Sequence, residues 1–295
     1  MNTIFLTGGS GFVGLNLIKY LESSEFINYQ RGAAFEINQD IVIHLAGKAH
    51  DLKKSSNPNE YYKVNTELTK KVFDAFLDSN AKVFITLSSV KAVTDQIEGE
   101  LTEEYIPNPI THYGKSKLQA DQYILSKELP RNKRVYILRP CMIHGPGNKG
   151  NLNLLYKIVS KSVPWPLGAY ENKRSFCSIE NLCFVIKELI EREEIPSGIY
   201  NVADDLPLST SELIKIIANS HNKKARLLNL PKSLIKLVSK MGDYLKLPLD
   251  SERLQKLTES YIVSNAKIVT AIGKPLPISS TQGLLKTFLS FSKHV

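Results

Sequence analysis

The sequence predicts a doubly wound α/β fold with a smaller, mainly helical C-terminal lobe. Three observations carry this reading. A short apolar strand, Ile4 to Leu6, runs straight into a glycine-rich turn and then a helix. Strand-like apolar runs then alternate with amphipathic helical stretches, the signature of a parallel sheet covered on both faces. Beyond a break at Gly145-Pro146-Gly147-Asn148-Lys149-Gly150 one more strand-like run appears, and the chain then turns mostly helical.

Taken in order, the first helix covers Phe12 to Leu21, with Val13, Leu17 and Leu21 on one face. Phe26 to Arg31 reads as a second strand, and Ile41 to Leu45 as a third only about ten residues later. A crossover between parallel strands usually takes about a dozen residues or more. A helix and a strand common in such folds are therefore expected to be reduced or missing over 23–40. Tyr61 to Asp78 is a long amphipathic helix containing Asn65, and Val83 to Leu87 a strand with Ser88-Ser89 at its C-terminal end. Residues 94–110 are a polar loop. A helix over 112–128 carries Tyr113 and Lys117, Val135 to Leu138 is a strand, and Gly198 to Val202 a returning strand. The expected organisation is a nucleotide-binding domain over 1–147 that also receives 174–204, with a substrate lobe from 148–173 and 205–295.

With 38 basic against 29 acidic residues among 295, the net charge of +9 suits an anionic ligand or surface. The basic residues do not gather into one arm, and no zinc-finger or RNA-binding aromatic motif is present, so nucleic acid is not expected. Cys141, Cys177 and Cys183 are unclustered and odd in number, as expected of reduced thiols in the cytoplasm rather than disulfides. No His/Cys spacing suits a metal. No secretory leader is expected, because the first strand begins almost at Met1. No apolar run approaches the roughly 20 residues needed to span a bilayer. Lys232 to Leu245 reads as a basic amphipathic helix, either an ordinary lobe helix or a membrane-surface one.

The chemistry begins at the turn, where Gly8, Gly11 and Gly14 stand three apart. A strand that turns sharply into a helix aims free N–H groups and the positive end of the helix dipole at whatever lies above, which suits a diphosphate. Gly8 would allow the tight turn, Gly11 the approach of phosphate, and Gly14 the close packing of helix on strand. Tyr113 and Lys117 lie four apart on one helix, so both face one way. An ammonium beside a phenol favours the phenolate and lowers its pKa from about 10. Ser89 at a strand end could hold a substrate oxygen against that phenol. The three together suit the interconversion of an alcohol and a ketone, with hydride passing to or from a nicotinamide.

Taken together, TGGSGFVG at 7–14, HLAGKAH at 44–50, VNTELTKKV around Asn65, LSSVKA at 87–92, YGKSK at 113–117, LRPCMIHGPG at 138–147, NKRSFCSIENL at 172–182 and GIYNVADDLPLS at 198–209 resemble the extended short-chain dehydrogenase/reductase family, in its nucleotide-sugar epimerase/dehydratase branch. The resemblance covers nearly the whole chain. It implies an NAD(P)-binding Rossmann fold, NAD or NADP as cofactor, and a nucleotide-sugar as substrate. Tyr113 would be the general acid/base, Lys117 would lower its pKa and bind the nicotinamide ribose, and Ser89 would bind the reacting hydroxyl. Gly8, Gly11, Phe12, Val13 and Gly14 would line the diphosphate, with Ala46 and Gly47 on the adenosine side and Asn65 and Ser88 nearby. Arg174 and Arg253 would grip the substrate diphosphate, assisted by Asn151 or Asn153. The resemblance is compatible with a homodimer.

Two departures sharpen the expectation. Dehydratases of the family place Asp-Glu directly after the catalytic Ser/Thr, whereas Val90-Lys91 stand here, which disfavours dehydration. NAD-preferring members place an acid after the second strand, whereas Arg31 stands near that point and could accommodate a 2′-phosphate. The leading expectation is a C4 epimerase of a UDP-hexose or UDP-N-acetylhexosamine. A 4-keto-sugar reductase and a non-catalytic dinucleotide-binding protein are the alternatives.

Overall fold

The structure is a computed structural model describing residues 2–30, 32–49, 57–148, 151–245 and 250–292. Its centre is a six-stranded parallel sheet built from β1 (Thr3–Thr7), β2 (Glu25–Asn28), β3 (Ile41–His44), β4 (Val83–Leu87), β6 (Arg134–Pro140) and β9 (Gly198–Val202), in the order β2-β1-β3-β4-β6-β9. The strands are apolar on both sides because both faces are covered. Ile4 and Leu6 pack on one face with Leu17 of α1 (Phe12–Tyr20) and with Leu182, Val185 and Leu189 of α6 (Ile179–Glu191). Phe5, Val42 and Phe84 pack on the other. There they meet Val72, Phe73 and Phe76 of α3 (Leu68–Asp78) and Ile124 of α4 (His112–Leu125).

The reduced segment after the first helix is real. Among the described residues, 29–40 contain neither helix nor strand, so β2 is the sheet edge. Tyr29 stacks on Phe35 with ring centroids 4.6 Å apart, and Ile37 buries itself against Phe5, Val42 and their neighbours. These side chains supply the cover that a helix would give. The second strand also stops at Asn28, earlier than its sequence suggests.

Before α3 the chain forms α2 (Pro58–Tyr61), capped by the Asn57 side chain, and a π-helical stretch over Tyr62–Glu67. Two small parallel pairs flank the main sheet: β5 (Glu100–Leu101) with β10 (Ile262–Val263), and β7 (Met142–His144) with β8 (Phe176–Ser178). A third core cluster joins residues of α5 (Asn151–Ser160), α7 (Thr210–Ser220), α8 (Lys232–Leu245), α9 (Ser251–Thr258) and α11 (Ser280–Ser292). By contrast Tyr261, Val263 and the α10 (Ala266–Ile272) residues Ile268 and Ile272 pack with the cluster on the main sheet. His144 ties β7 to α11 and to the loop after β9 from within: its ring bonds Thr287 Oγ1 at 2.9 Å and Asp204 Oδ2 at 3.3 Å. All three cysteines are free and buried.

Candidate active site

The parallel strands β1, β3 and β4 end on the same side of the sheet, and the candidate side chains gather there. At β1 the turn depends on two glycines. Gly8 has φ +76°, and a Cβ on it would stand 2.6 Å from Ala46 N. A Cβ on Gly14 would stand 2.5 Å from Gly8 O, so helix and turn could not close with any side chain there. Gly11 N–H donates to Gly8 O at 3.0 Å, and Gly11 caps α1 with no side-chain hydrogen bond to its first turn. The first-turn N–H groups of Phe12, Val13 and Gly14 are thus left for an external acceptor, a cradle that fits a dinucleotide diphosphate.

At β4, Ser89 accepts a hydrogen bond from Lys91 N at 3.2 Å and so opens a 3-10 turn over Val90–Ala92. Thr111 caps α4 and sets Tyr113 and Lys117 on its inward face. The Ser89 side chain faces the Tyr113 phenol, and the Tyr61 ring meets the Tyr113 ring at 6.3 Å, edge to face. Lys117 is buried and donates from Nζ to Leu87 O at 2.8 Å. A Cβ on Gly47 would lie 3.1 Å from Lys117 Nζ and 3.2 Å from Asn65 Oδ1, so the loop after β3 runs directly over the lysine. Ser89, Tyr113, Lys117 and Gly47 therefore form one cluster beside the glycine turn.

The electrostatics differ from the sequence expectation. Burial pushes the Tyr113 phenol above its ordinary value, and the facing Ser89 side chain only partly offsets this. Burial also lowers Lys117 to about 8, against the pull of Asp121. Desolvation dominates the shift of the phenol, with Ser89, Asp121 and Tyr61 as its other influences; the expected ammonium effect of Lys117 is not among them.

Two residues expected near the cofactor are used inside the protein instead. Asn65, in the π-helical stretch, accepts from Lys48 N at 2.8 Å and donates to Lys48 O at 3.0 Å and Ser116 Oγ at 2.9 Å. It fastens the Gly47-Lys48 loop to α4. Ser88 points beneath the site and donates to Asp121 Oδ2 at 3.0 Å. That carboxylate also accepts from Arg139 Nε at 3.0 Å, and both partners are almost wholly buried. Sequence reading missed Asp121 and Arg139. The available signal was spacing, since Asp121 falls four residues after Lys117, one turn further along the same face. His44 is a structural histidine: it is buried, with its ring nitrogens 2.7 Å from Thr7 Oγ1 and 2.9 Å from Thr69 Oγ1.

On the substrate side, Arg174 is held by backbone bridges to Leu208 and Tyr261, and its Nη1 donates to Lys256 O at 2.6 Å. Burial lowers its pKa. Tyr261 links this segment to the turn after Ser89, donating to Thr94 O at 2.7 Å, while Lys91 Nζ sits 4.3 Å over its ring. Arg253 is exposed on α9 and pairs with Asp250 at 3.6 Å. Asn153 donates to Asn148 O at 2.8 Å. Arg31 and the side chain of Asn151 lie outside the described residues. Among the described residues no cluster of His, Cys, Asp or Glu could hold a metal ion, and no helix is long and apolar enough to cross a membrane.

The model of the NAD dependent epimerase/dehydratase family matches residues 28–203. UDP-glucose 4-epimerase of Vibrio cholerae is 30% identical, the alignment covering 98% of this chain and 95% of that protein. N-acetyl-alpha-D-glucosaminyl-diphospho-ditrans,octacis-undecaprenol 4-epimerase of Escherichia coli O157:H7 is 27% identical, over 97% and 94%. Among solved structures, UDP-N-acetylglucosamine 4-epimerase from Bacillus cereus is similar in fold, with a TM-score of 0.76 at 19% identity over 98% of this chain and 99% of that one.

Proposed function

Because the chain belongs to the NAD-dependent epimerase/dehydratase family, we propose that it inverts C4 of a nucleotide-activated sugar, a UDP-hexose or a UDP-N-acetylhexosamine. The observation that carries this reading is Ser89 facing Tyr113 at the end of β4, with Lys117 buried one turn along the same helix and the Gly47 loop against it beside the glycine turn. Gly8, Gly11, Phe12, Val13 and Gly14 would hold the diphosphate of NAD or NADP, with Ala46 and Gly47 alongside and Lys117 on the nicotinamide ribose. The bound nicotinamide supplies hydride exchange with the sugar carbon. In its phenolate form Tyr113 Oη would take the proton from the C4 hydroxyl as hydride leaves C4 for the nicotinamide, and would return it as hydride comes back and the hydroxyl re-forms. Ser89 Oγ holds that oxygen on the phenol during both transfers. Once C4 is planar, rotation of the sugar exposes its other face, so the same two hydroxyls serve both directions. Arg174, with Arg253 on α9, would hold the substrate diphosphate while the sugar turns.

Val90-Lys91 place no carboxylate after Ser89 to remove a second proton, which supports epimerisation or reduction over dehydration. The expected lobe, 148–173 and 205–295, supplies Arg253 and much of the substrate surface in this reading. We assign the enzyme to the cytoplasm, in line with its unbridged cysteines. The test is to purify the protein, identify any dinucleotide it retains, and incubate it with UDP-glucose and UDP-N-acetylglucosamine. Epimerisation expects retained cofactor and formation of the galacto product without added reductant. Turnover only of a 4-keto sugar with added NADPH would make it a reductase, and a bound dinucleotide with neither reaction would make it a binding protein.

A further inference from the structure

An ordinary lobe helix turns its large apolar side chains inward. Helix α8 does the reverse. Its buried positions are Ile235, Ser239 and Gly242. Its large apolar residues face out: Leu234, Leu237, Val238, Met241, Tyr244 and Leu245 are 39–88% exposed. They recur at three- and four-residue steps, so they form one stripe along the helix rather than scattered exposures. Lys232, Lys236 and Lys240 make an exposed row along the polar side, within a chain of net charge +9. The one acid on the helix, Asp243, is taken up by Ser251, accepting from its N at 2.8 Å and its Oγ at 2.6 Å. The outer surface of α8 is therefore apolar and cationic together.

We propose that α8 docks the protein reversibly on an anionic membrane surface, its apolar stripe entering the headgroup layer and its lysines meeting lipid phosphates. Charge decides between the candidate occupants: a second copy would bring another lysine row against this one, whereas an anionic bilayer neutralises it. Helices of this composition lie in the interface plane and bind by buried apolar area plus attraction to anionic lipid. The location gives the docking a use. α8 packs on α9, and Arg174 donates to Lys256 O on that helix, so the docking face stands one helix from the arginine side of the candidate site. A sugar diphosphate made or used at the membrane would be handled there without leaving the surface.

The test is co-sedimentation of the full chain with vesicles of phosphatidylglycerol and phosphatidylethanolamine, and separately of phosphatidylcholine. It is run for the wild type and for Leu237→Gln with Met241→Gln. Both residues are exposed, so the double variant keeps the wild-type melting temperature within a few degrees. Docking predicts that the wild type sediments with the anionic vesicles, is released by high salt, and stays in solution with phosphatidylcholine. It also predicts that the variant partitions at least about tenfold less. A wild type that stays in solution with anionic vesicles overturns the proposal, as does a variant that sediments equally. So does a wild type that dimerises through this face, becomes monomeric on substitution and ignores vesicles. Vesicle binding is read without substrate, so its failure leaves the epimerase assay to stand or fall separately.

Discussion

Lys117 donates a 2.8 Å hydrogen bond from Nζ to the carbonyl of Leu87, the last residue of β4. One contact thus joins the helix that carries Tyr113 to the strand that ends beside Ser89. The loop after β3 closes over the same ammonium, since Gly47 has no room for a Cβ without crowding Nζ and Asn65. Strand, helix and loop meet at a single buried charge. The spacing of Ser89 and Tyr113 is therefore set by the sheet and α4 rather than by a mobile segment.

Tyr113→Phe tests the proton step directly. It removes the phenol hydroxyl but leaves the ring against Tyr61. Turnover should fall by about 10²–10⁴-fold, the usual contribution of a positioned acid/base. Dinucleotide affinity should stay within about threefold, because the glycine turn is untouched. Steady-state assays and fluorescence titration measure the two, and wild-type turnover in the variant would remove Tyr113 from the role.

Asp121→Ala should damage the fold more than the chemistry. It strips Arg139 of its buried partner and Ser88 of its acceptor. Removing one half of a buried pair usually costs about 3–5 kcal/mol. Denaturant unfolding should register a loss of that order. A change below about 1 kcal/mol would mean that Arg139 finds another partner or water.

Much of the fold could be read from sequence because its signals are local. The glycine turn, the apolar strands and the four-residue Tyr113–Lys117 step each sit within one element. What escaped depends on direction. Ser88 and Ser89 are adjacent at a strand end and necessarily point to opposite sides, so one reaches Tyr113 and the other Asp121. The family resemblance put Ser89 on the reacting hydroxyl and Ser88 near the cofactor. Asn65 was expected near the cofactor, and only the structure reveals that its amide is spent on Lys48 and Ser116. The apolar stripe of α8 was visible as a pattern, whereas its outward orientation follows from how the lobe packs.

His44 gives the protein a defined acid sensitivity. Burial, with Lys117 nearby, lowers its pKa from 6.5 to about 3. The unfolded chain therefore takes up a proton below pH 6.5 that the folded chain refuses until about 3. Its contribution to stability is full above that window and is lost as pH falls through it, by at most about 1.4 kcal/mol per pH unit. His44→Gln should be less stable at pH 7, because its bonds to Thr7 and Thr69 are disturbed, but should lose less on acidification to pH 5. Thermal melts across that range check this, and parallel curves for the two proteins would show that other groups govern the acid response.

Arg174→Ala tests the substrate side. The guanidinium is partly desolvated and oriented by Lys256 O, and the nearby Lys91 ammonium adds to the positive field, lowered like Arg174 chiefly by burial. Glu259 faces both cations and Asp95 faces Lys91, so the gain from an anion rests on the desolvated planar fork of Arg174, which suits phosphate oxygens. A charge-assisted contact is worth about 1.5–3 kcal/mol. Calorimetry should therefore record UDP binding weaker by about one to two powers of ten. Dinucleotide binding should hold steady, because in the proposed reading its diphosphate rests on the first turn of α1, away from Arg174. Undiminished UDP affinity would place the diphosphate elsewhere, and equal loss of both ligands would show that Arg174 acts by holding Leu208 and Tyr261 in the fold.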